Sequence, residues 1–198
     1  MGRTSDAKPR LLAAAGELFQ DKGYHAVGIQ EICDAAGVNK GSFYYFFSSK
    51  RDLVLAAIDA QVEMYQQELM QPAFSSDVPV AEQFRQFFHL MYLARHNLAS
   101  CTGCFFGNLT LELSTHDELV RGKLQSIFEG WTLGFERVLQ AAVEAGALPK
   151  LDTRRTAQAL VALFEGSALL AKAYNDVSIL DDLSQVAVNL VEHASSSP

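Results

Sequence analysis
No stretch of this 198-residue chain approaches the roughly 18 uninterrupted apolar residues that a membrane-spanning helix requires. The opening Met-Gly-Arg-Thr-Ser-Asp-Ala-Lys runs into an amphipathic pattern without the apolar core of a signal peptide, so a cytoplasmic protein is expected. Alternation of apolar and polar residues is missing too, and so is any internal repeat, which leaves helical periods and predicts an all-α fold. The five histidines, His25, His89, His96, His116 and His193, are scattered without ligand spacing. The pair Cys101 and Cys104 lacks a second pair at zinc-binding distance, so no metal is expected. There is no nucleophile elbow and no phosphate-cradling glycine loop, which argues against an enzyme and against a cofactor. What the chain does hold is 49% hydrophobic residues, enough to exclude global disorder.

The net charge of −7 speaks at first against a nucleic-acid partner, but its distribution reverses that inference. Residues 1 to 51 carry seven Lys and Arg against five Asp and Glu, whereas residues 52 to 198 carry nine against eighteen. The acidic remainder would repel a polyanion and favour one orientation upon it, although a solvated helical surface also accounts for much of that charge.

The positive end contains the most informative segment, Ile29 to Lys50. Ile29, Ile32, Cys33 and Ala36 recur at helical spacing as one buried stripe. Gly37 ends that helix in a left-handed conformation, Val38 folds back onto the apolar seam, and Asn39 caps a second helix. In that second helix Phe43, Phe46 and Phe47 face inward, while Lys40, Gly41, Tyr44 and Tyr45 face outward. Lys40 offers a charge to phosphate, Gly41 lets the backbone approach a duplex, and the tyrosine hydroxyls can donate to phosphate oxygens. After Ser48 or Ser49 caps the next helix, Lys50 can neutralise another phosphate. An ordinary αα-corner also uses a glycine between amphipathic helices, so the local pattern alone leaves plain packing open.

Gly23-Tyr24, Ile29, Ile32, Ala36-Gly37-Val38, Lys40-Gly41, Tyr44, Phe47, Lys50 and Leu53 together resemble the N-terminal domain of the TetR family of transcriptional repressors. The resemblance covers residues 8 to 55 and implies a helix-turn-helix domain, residues 1–50, followed by a ligand-binding and dimerisation domain, residues 51–198. Carried over residue by residue, it places Gly28, Asn39, Lys40, Gly41, Ser42, Tyr44, Tyr45 and Lys50 at double-stranded operator DNA. The chain departs from the family pattern at Gly28, where a threonine often caps the second helix, at Cys33, usually alanine, and at Tyr45, often histidine.

The rest reads as further helices: 5–22, with Pro9 in its first turn, 50–70, 80–96, 105–113, 118–144, 152–174 and 179–193, making nine in all. Breaks are predicted at Pro72 to Pro79 and Asn97 to Gly103, and a helix stop at Gly146. The last two helices carry apolar seams. Leu160, Phe164 and Ala168 on one, with Leu183, Val186 and Leu190 on the other, either pack only on their own core or form the four-helix homodimer interface that the family uses. A two-fold dimer implies a palindromic operator.

A small-molecule inducer would need a cavity. Phe88, Met91, Tyr92, Phe105, Trp131, Phe135 and Phe164 are candidate apolar walls, most of them ordinary core, and Asn108, Glu112, Glu165 and Lys172 are candidate polar contacts. Cys104 opens a segment, Cys104 to Glu112, that with Lys172 resembles a branch of the family containing sensors of electrophiles and oxidants. A cysteine at a helix N-terminus can have an acidified thiol, while an inert buried cysteine is the alternative. Cys33, on a buried stripe, reads as structural. The regulator reading competes with a helical protein-interaction adaptor and with an enzyme of unrecognised type.

Overall fold
The computed structural model describes residues 6–75, 77–96 and 100–193, and all regular structure among them is helical. Ser5, Ser76, Asn97 to Ala99 and the Ser-Ser-Ser-Pro tail, on which parts of the predicted helix ends and breaks fall, lie outside the described residues. The elements are α1 Ala7–Lys22, α2 Ile29–Ala36, α3 Lys40–Phe46, α4 Lys50–Tyr65, a π-helical turn Gln66–Met70, α5 Gln71–Phe74, α6 Val80–Leu93, α7 Phe105–Leu113, α8 Glu118–Glu144, α9 Thr153–Tyr174, α10 Ser178–Asp182 and α11 Ser184–Glu192. With 50–74 taken as one rod and α10 with α11 as one broken helix, the described residues form the nine helices predicted.

The predicted punctuation of the second and third helices is reproduced atom by atom. Gly37 takes φ 62°, its N–H donates to Asp34 O, and Val38 N–H reaches Cys33 O at 2.9 Å, closing α2 with a Schellman motif. The Asn39 side chain accepts from Ser42 N–H at 2.8 Å and so satisfies one of the orphan donors that begin α3. Phe43 and Phe47 are buried with Ile32 and Cys33, whereas Phe46 is only half-buried. Ser49, of the two serines considered, caps α4 through Oγ to Asp52 N–H.

Two boundaries differ from the sequence reading. The helix from Lys50 does not stop at residue 70 but continues through Pro72 to Phe74, after the π-helical turn. A proline in a regular helix presses its ring on the carbonyl four residues back, here that of Glu68, and the wider turn relieves that clash. The last predicted helix is interrupted at Leu183, between α10 and α11.

The chain divides into two compact units, one formed by residues up to Met64 with Cys104–Leu124, the other by Tyr65–Gly103 with Gln125 onward. In the first, α1, α2 and α3 pack on Leu11, Phe19, Ile32, Phe43 and Leu53. In the second, α6 packs against α10 and α11, and Phe84, Phe87, Phe135 and Phe164 form an aromatic core, with Phe87 at 5.6 Å from both Phe135 and Phe164.

That core corrects part of the predicted dimer seam. Leu160, Phe164 and Ala168 are 0%, 1% and 3% exposed within a single chain, so they cannot offer a face to a twin. The stripe of α9 that faces outward runs instead through Ala162, Gly166, Leu169 and Ala173. On the last helices Val186 is exposed as expected, while Leu183 and Leu190 are half-buried. The period of a helix identifies an apolar stripe but not which neighbour covers it. Phe164→Ala should therefore lower unfolding stability by about 3–5 kcal/mol in urea titrations, the cost of a cavity in a closed core.

Candidate nucleic-acid interface
The outer face of α3 is open. Tyr44 and Tyr45 are 57% and 77% exposed, Lys40 and Gly41 are exposed beside them, and Ser42 is half-buried. The two phenol rings are steadied edge-on, Tyr44 against Phe43 at 5.1 Å and Tyr45 against Phe46 at 4.8 Å. Asn39 contributes by its cap. A Cβ at Gly41 would lie 3.2 Å from Asn39 Oδ1, so the glycine spares the cap as well as leaving room for a duplex. Gly28 begins α2 in extended conformation without a side-chain cap, and a Cβ there meets nothing within 4 Å; the missing threonine would have fitted.

The connection from α1 to α2 holds this reading head in place, and Lys50 and Glu112 both bond to it. Lys50, expected at phosphate, turns inward: its Nζ donates to Tyr24 O and to Val27 O, both at 2.8 Å, and lies 4.1 Å from the centre of the Tyr24 ring. Burial pulls the Lys50 ammonium below its ordinary pKa, opposed by the charge of Glu112, and the same burial pushes the Tyr24 phenol up. Glu112, expected at a ligand, accepts from the other side of the loop, from Tyr24 N–H at 2.7 Å and His25 N–H at 2.5 Å. Gly23 has φ 84°, and a Cβ on it would stand 3.0 Å from Glu112 Oε2, so both backbone conformation and carboxylate approach call for glycine.

Further ties come from residues that the sequence reading did not single out. Arg10 donates from α1 to Ala36 O at 2.9 Å and Gly37 O at 3.3 Å, capping the C-terminus of α2. Lys22 pairs with Glu31 at 2.7 Å, and Arg51 stands 3.9 Å from Asp117. A basic residue eight or more positions from its acceptor leaves no periodic signal, so none of these could be found from spacing.

The ligand candidates are dispersed. Phe88, Met91, Phe105 and Phe164 are closed core, and Cys104 is buried and forms no disulfide. Cys33 is buried too, and burial raises its thiol pKa, in keeping with a structural role. Tyr92 is half-buried between the rings of His89 and His96, at 6.0 and 5.4 Å. Asn108 is half-buried in the first compact unit, Glu165 is half-buried in the second, and Lys172 is exposed. Trp131 and Phe135 do meet a cavity, of about 320 Å³, between the π-helical turn with α5 and the face of α8. Among the described residues no group of three or more His, Cys, Asp or Glu could hold a metal, and no helix is long and apolar enough to cross a membrane.

An exposed cationic and phenolic helix, capped at its start and set by a tight turn on a buried partner helix, defines a helix-turn-helix regulator of transcription. The comparisons agree. Residues 11–57 match the model of bacterial regulatory proteins of the tetR family, and residues 81–187 match the tetracyclin repressor-like C-terminal domain. An uncharacterized HTH-type transcriptional regulator of Lactococcus lactis is 32% identical over 176 residues, covering 89% of this chain and 88% of that protein. The HTH-type transcriptional repressor DhaR of a Mycobacterium species is 27% identical over 187 residues, covering 94% of this chain and 92% of that protein. A crystal structure of a regulatory protein TetR from Rhodobacter sphaeroides superposes with a TM-score of 0.83 at 30% identity, over 93% of this chain and 98% of that one. The chain belongs to the TetR family, which consists of DNA-binding transcriptional regulators and not of enzymes.

The loop clamp is open to a thermodynamic test. Lys50→Ala and Glu112→Ala should each cost about 1–3 kcal/mol in urea unfolding of the free protein, and the double variant less than the sum, because both act on one six-residue loop. A Lys50 that served phosphate alone would leave the free protein's stability unchanged.

Proposed function
We propose that this protein is a repressor that binds a palindromic operator as a homodimer and is released when a small molecule enters its C-terminal half. In this reading residues 1–50 are the reading head, residues 51–198 sense and dimerise, and the protein acts in the cytoplasm. The observation that carries it is the free face of α3, where Lys40, Gly41, Tyr44 and Tyr45 stand clear of the core while every turn around them is capped. Repression is supported by the named function of the Mycobacterium relative. Noncovalent induction is favoured over alkylation because Cys104 is 4% exposed.

For the homodimer, α9 supplies the outward stripe of Ala162, Gly166, Leu169 and Ala173, with Val186 of α11 beside it. Small residues allow close approach of a twin helix, and Leu169, at 56% exposure, is the largest apolar group on the stripe. Two reading heads related by a two-fold axis would then enter successive major grooves about 34 Å apart. Release requires only that a ligand prefer one separation of the heads, and a preference of a few kcal/mol suffices.

Footprinting on DNA upstream of the protein's own coding sequence should reveal protected half-sites one helical turn apart. Lys40→Ala should weaken that binding and reduce the slope of affinity against salt by about one phosphate contact. Leu169→Arg should yield monomers in analytical ultracentrifugation and abolish operator binding. A dimeric Leu169→Arg would move the interface elsewhere.

A further inference from the structure
We infer that the cavity beside α8 is a site for a neutral, aromatic small molecule with one uncharged hydrogen-bonding end, and that Gly130 and Gly134 set its depth. The inference rests on the ligand-responsive regulator proposed above and adds where the ligand sits and what chemistry it has.

Gly130 and Gly134 lie four apart on one face of α8, in the interior of a 27-residue helix. Glycine disfavours a helix interior relative to alanine, so its presence calls for a reason. Neither glycine has positive φ, and a Cβ built on either meets nothing within 4 Å. Packing within the chain does not require them. Both line the cavity, so the space that their missing side chains leave is part of it.

The facing wall is the π-helical turn and α5, which contribute Met70 and Phe74. The remaining walls are rings already held in place. Trp131 stacks on Tyr65 with centroids 6.0 Å apart and 13° between planes, and stands edge-on to Phe128 and Phe164. Phe135 is fixed edge-on by Phe84 at 5.1 Å and Phe87 at 5.6 Å. Such preset aromatic faces suit a planar apolar ligand, and about 320 Å³ lies at the small end of ligand cavities.

The polar lining consists of Gln66, Gln71 and Ser75, all neutral and all on the π-turn side. No lining residue is ionisable. The guanidinium of Arg95 is not part of the wall, and it donates to Tyr65 Oη at 2.8 Å and to Met91 O at 3.2 Å. A ligand carboxylate or ammonium would meet no counter-charge in this lining, whereas an amide or hydroxyl could exchange hydrogen bonds with the exposed glutamines and serine.

Trp131 is the only tryptophan of the chain, so its emission reports the site directly. Cinnamamide and cinnamate, which share size and shape but differ in charge, serve as probes on the full-length protein. Cinnamamide should change Trp131 emission saturably and bind about tenfold or more tighter than cinnamate, that factor corresponding to about 1.4 kcal/mol. Gly134→Leu should abolish the response and Gly134→Ala should weaken it, with thermal melting not lowered in the alanine variant because its Cβ enters empty space. Equal or tighter binding of cinnamate, or an undiminished response in both variants, would overturn the inference. A mobility shift on operator DNA without probe separates the two readings. Failure to shift defeats DNA binding alone, and failure of the emission titration defeats the ligand class alone.

Discussion
The six residues between α1 and α2 must have their backbone polar groups satisfied, and the placement of the reading head depends on how that is done. Within the segment Val27 N–H reaches Tyr24 O at 3.4 Å, and the remaining polar groups turn to two charged side chains. Glu112 takes the N–H groups of Tyr24 and His25, and Lys50 takes the carbonyls of Tyr24 and Val27. Each charge is thereby solvated by backbone dipoles, and each lies close enough to feel the other. The loop in turn sets the entry of α2, whose C-terminus Arg10 caps and whose Schellman turn aims α3. Remove either charge and the loop loses two of its hydrogen bonds.

This arrangement also ties α7 to the loop that precedes α2. Glu112 lies near the end of the helix that begins just after Cys104. A carboxylate bonded to two amides has few alternative geometries, which makes the contact a stiff connection. The π-helical turn before Pro72 plays a comparable local role in the other compact unit. It lets the helix from Lys50 run on past a proline, and its widened backbone forms one wall of the cavity.

Much of the fold was legible because its signals are local. The Schellman turn at Gly37, the cap at Asn39, the helix stop at Gly146 and the core position Phe43 follow from residue type and spacing. The outward set on α3 was legible for the same reason, since burying Phe43 decides where Lys40, Gly41, Tyr44 and Tyr45 must point. Lys50 and Glu112 were not legible. A lysine after a helix and a glutamate on a helix face look solvent-directed in sequence, and only the approach of a segment 26 or 88 residues away turns them inward. The apolar stripe of Leu160, Phe164 and Ala168 was found correctly as a stripe, but its cover proved to be the chain's own core.

The sequence by itself determined that this chain is all-α, that it begins with a helix-turn-helix, and which face of α3 is free, because helical period, capping chemistry and glycine conformation act over a few residues. Tertiary structure alone decided which charges hold the loop, which stripe of α9 remains exposed, and which of many aromatic residues line a cavity. Those outcomes depend on what a side chain meets across the fold, and burial and hydrogen-bond satisfaction are properties of the neighbour as much as of the residue.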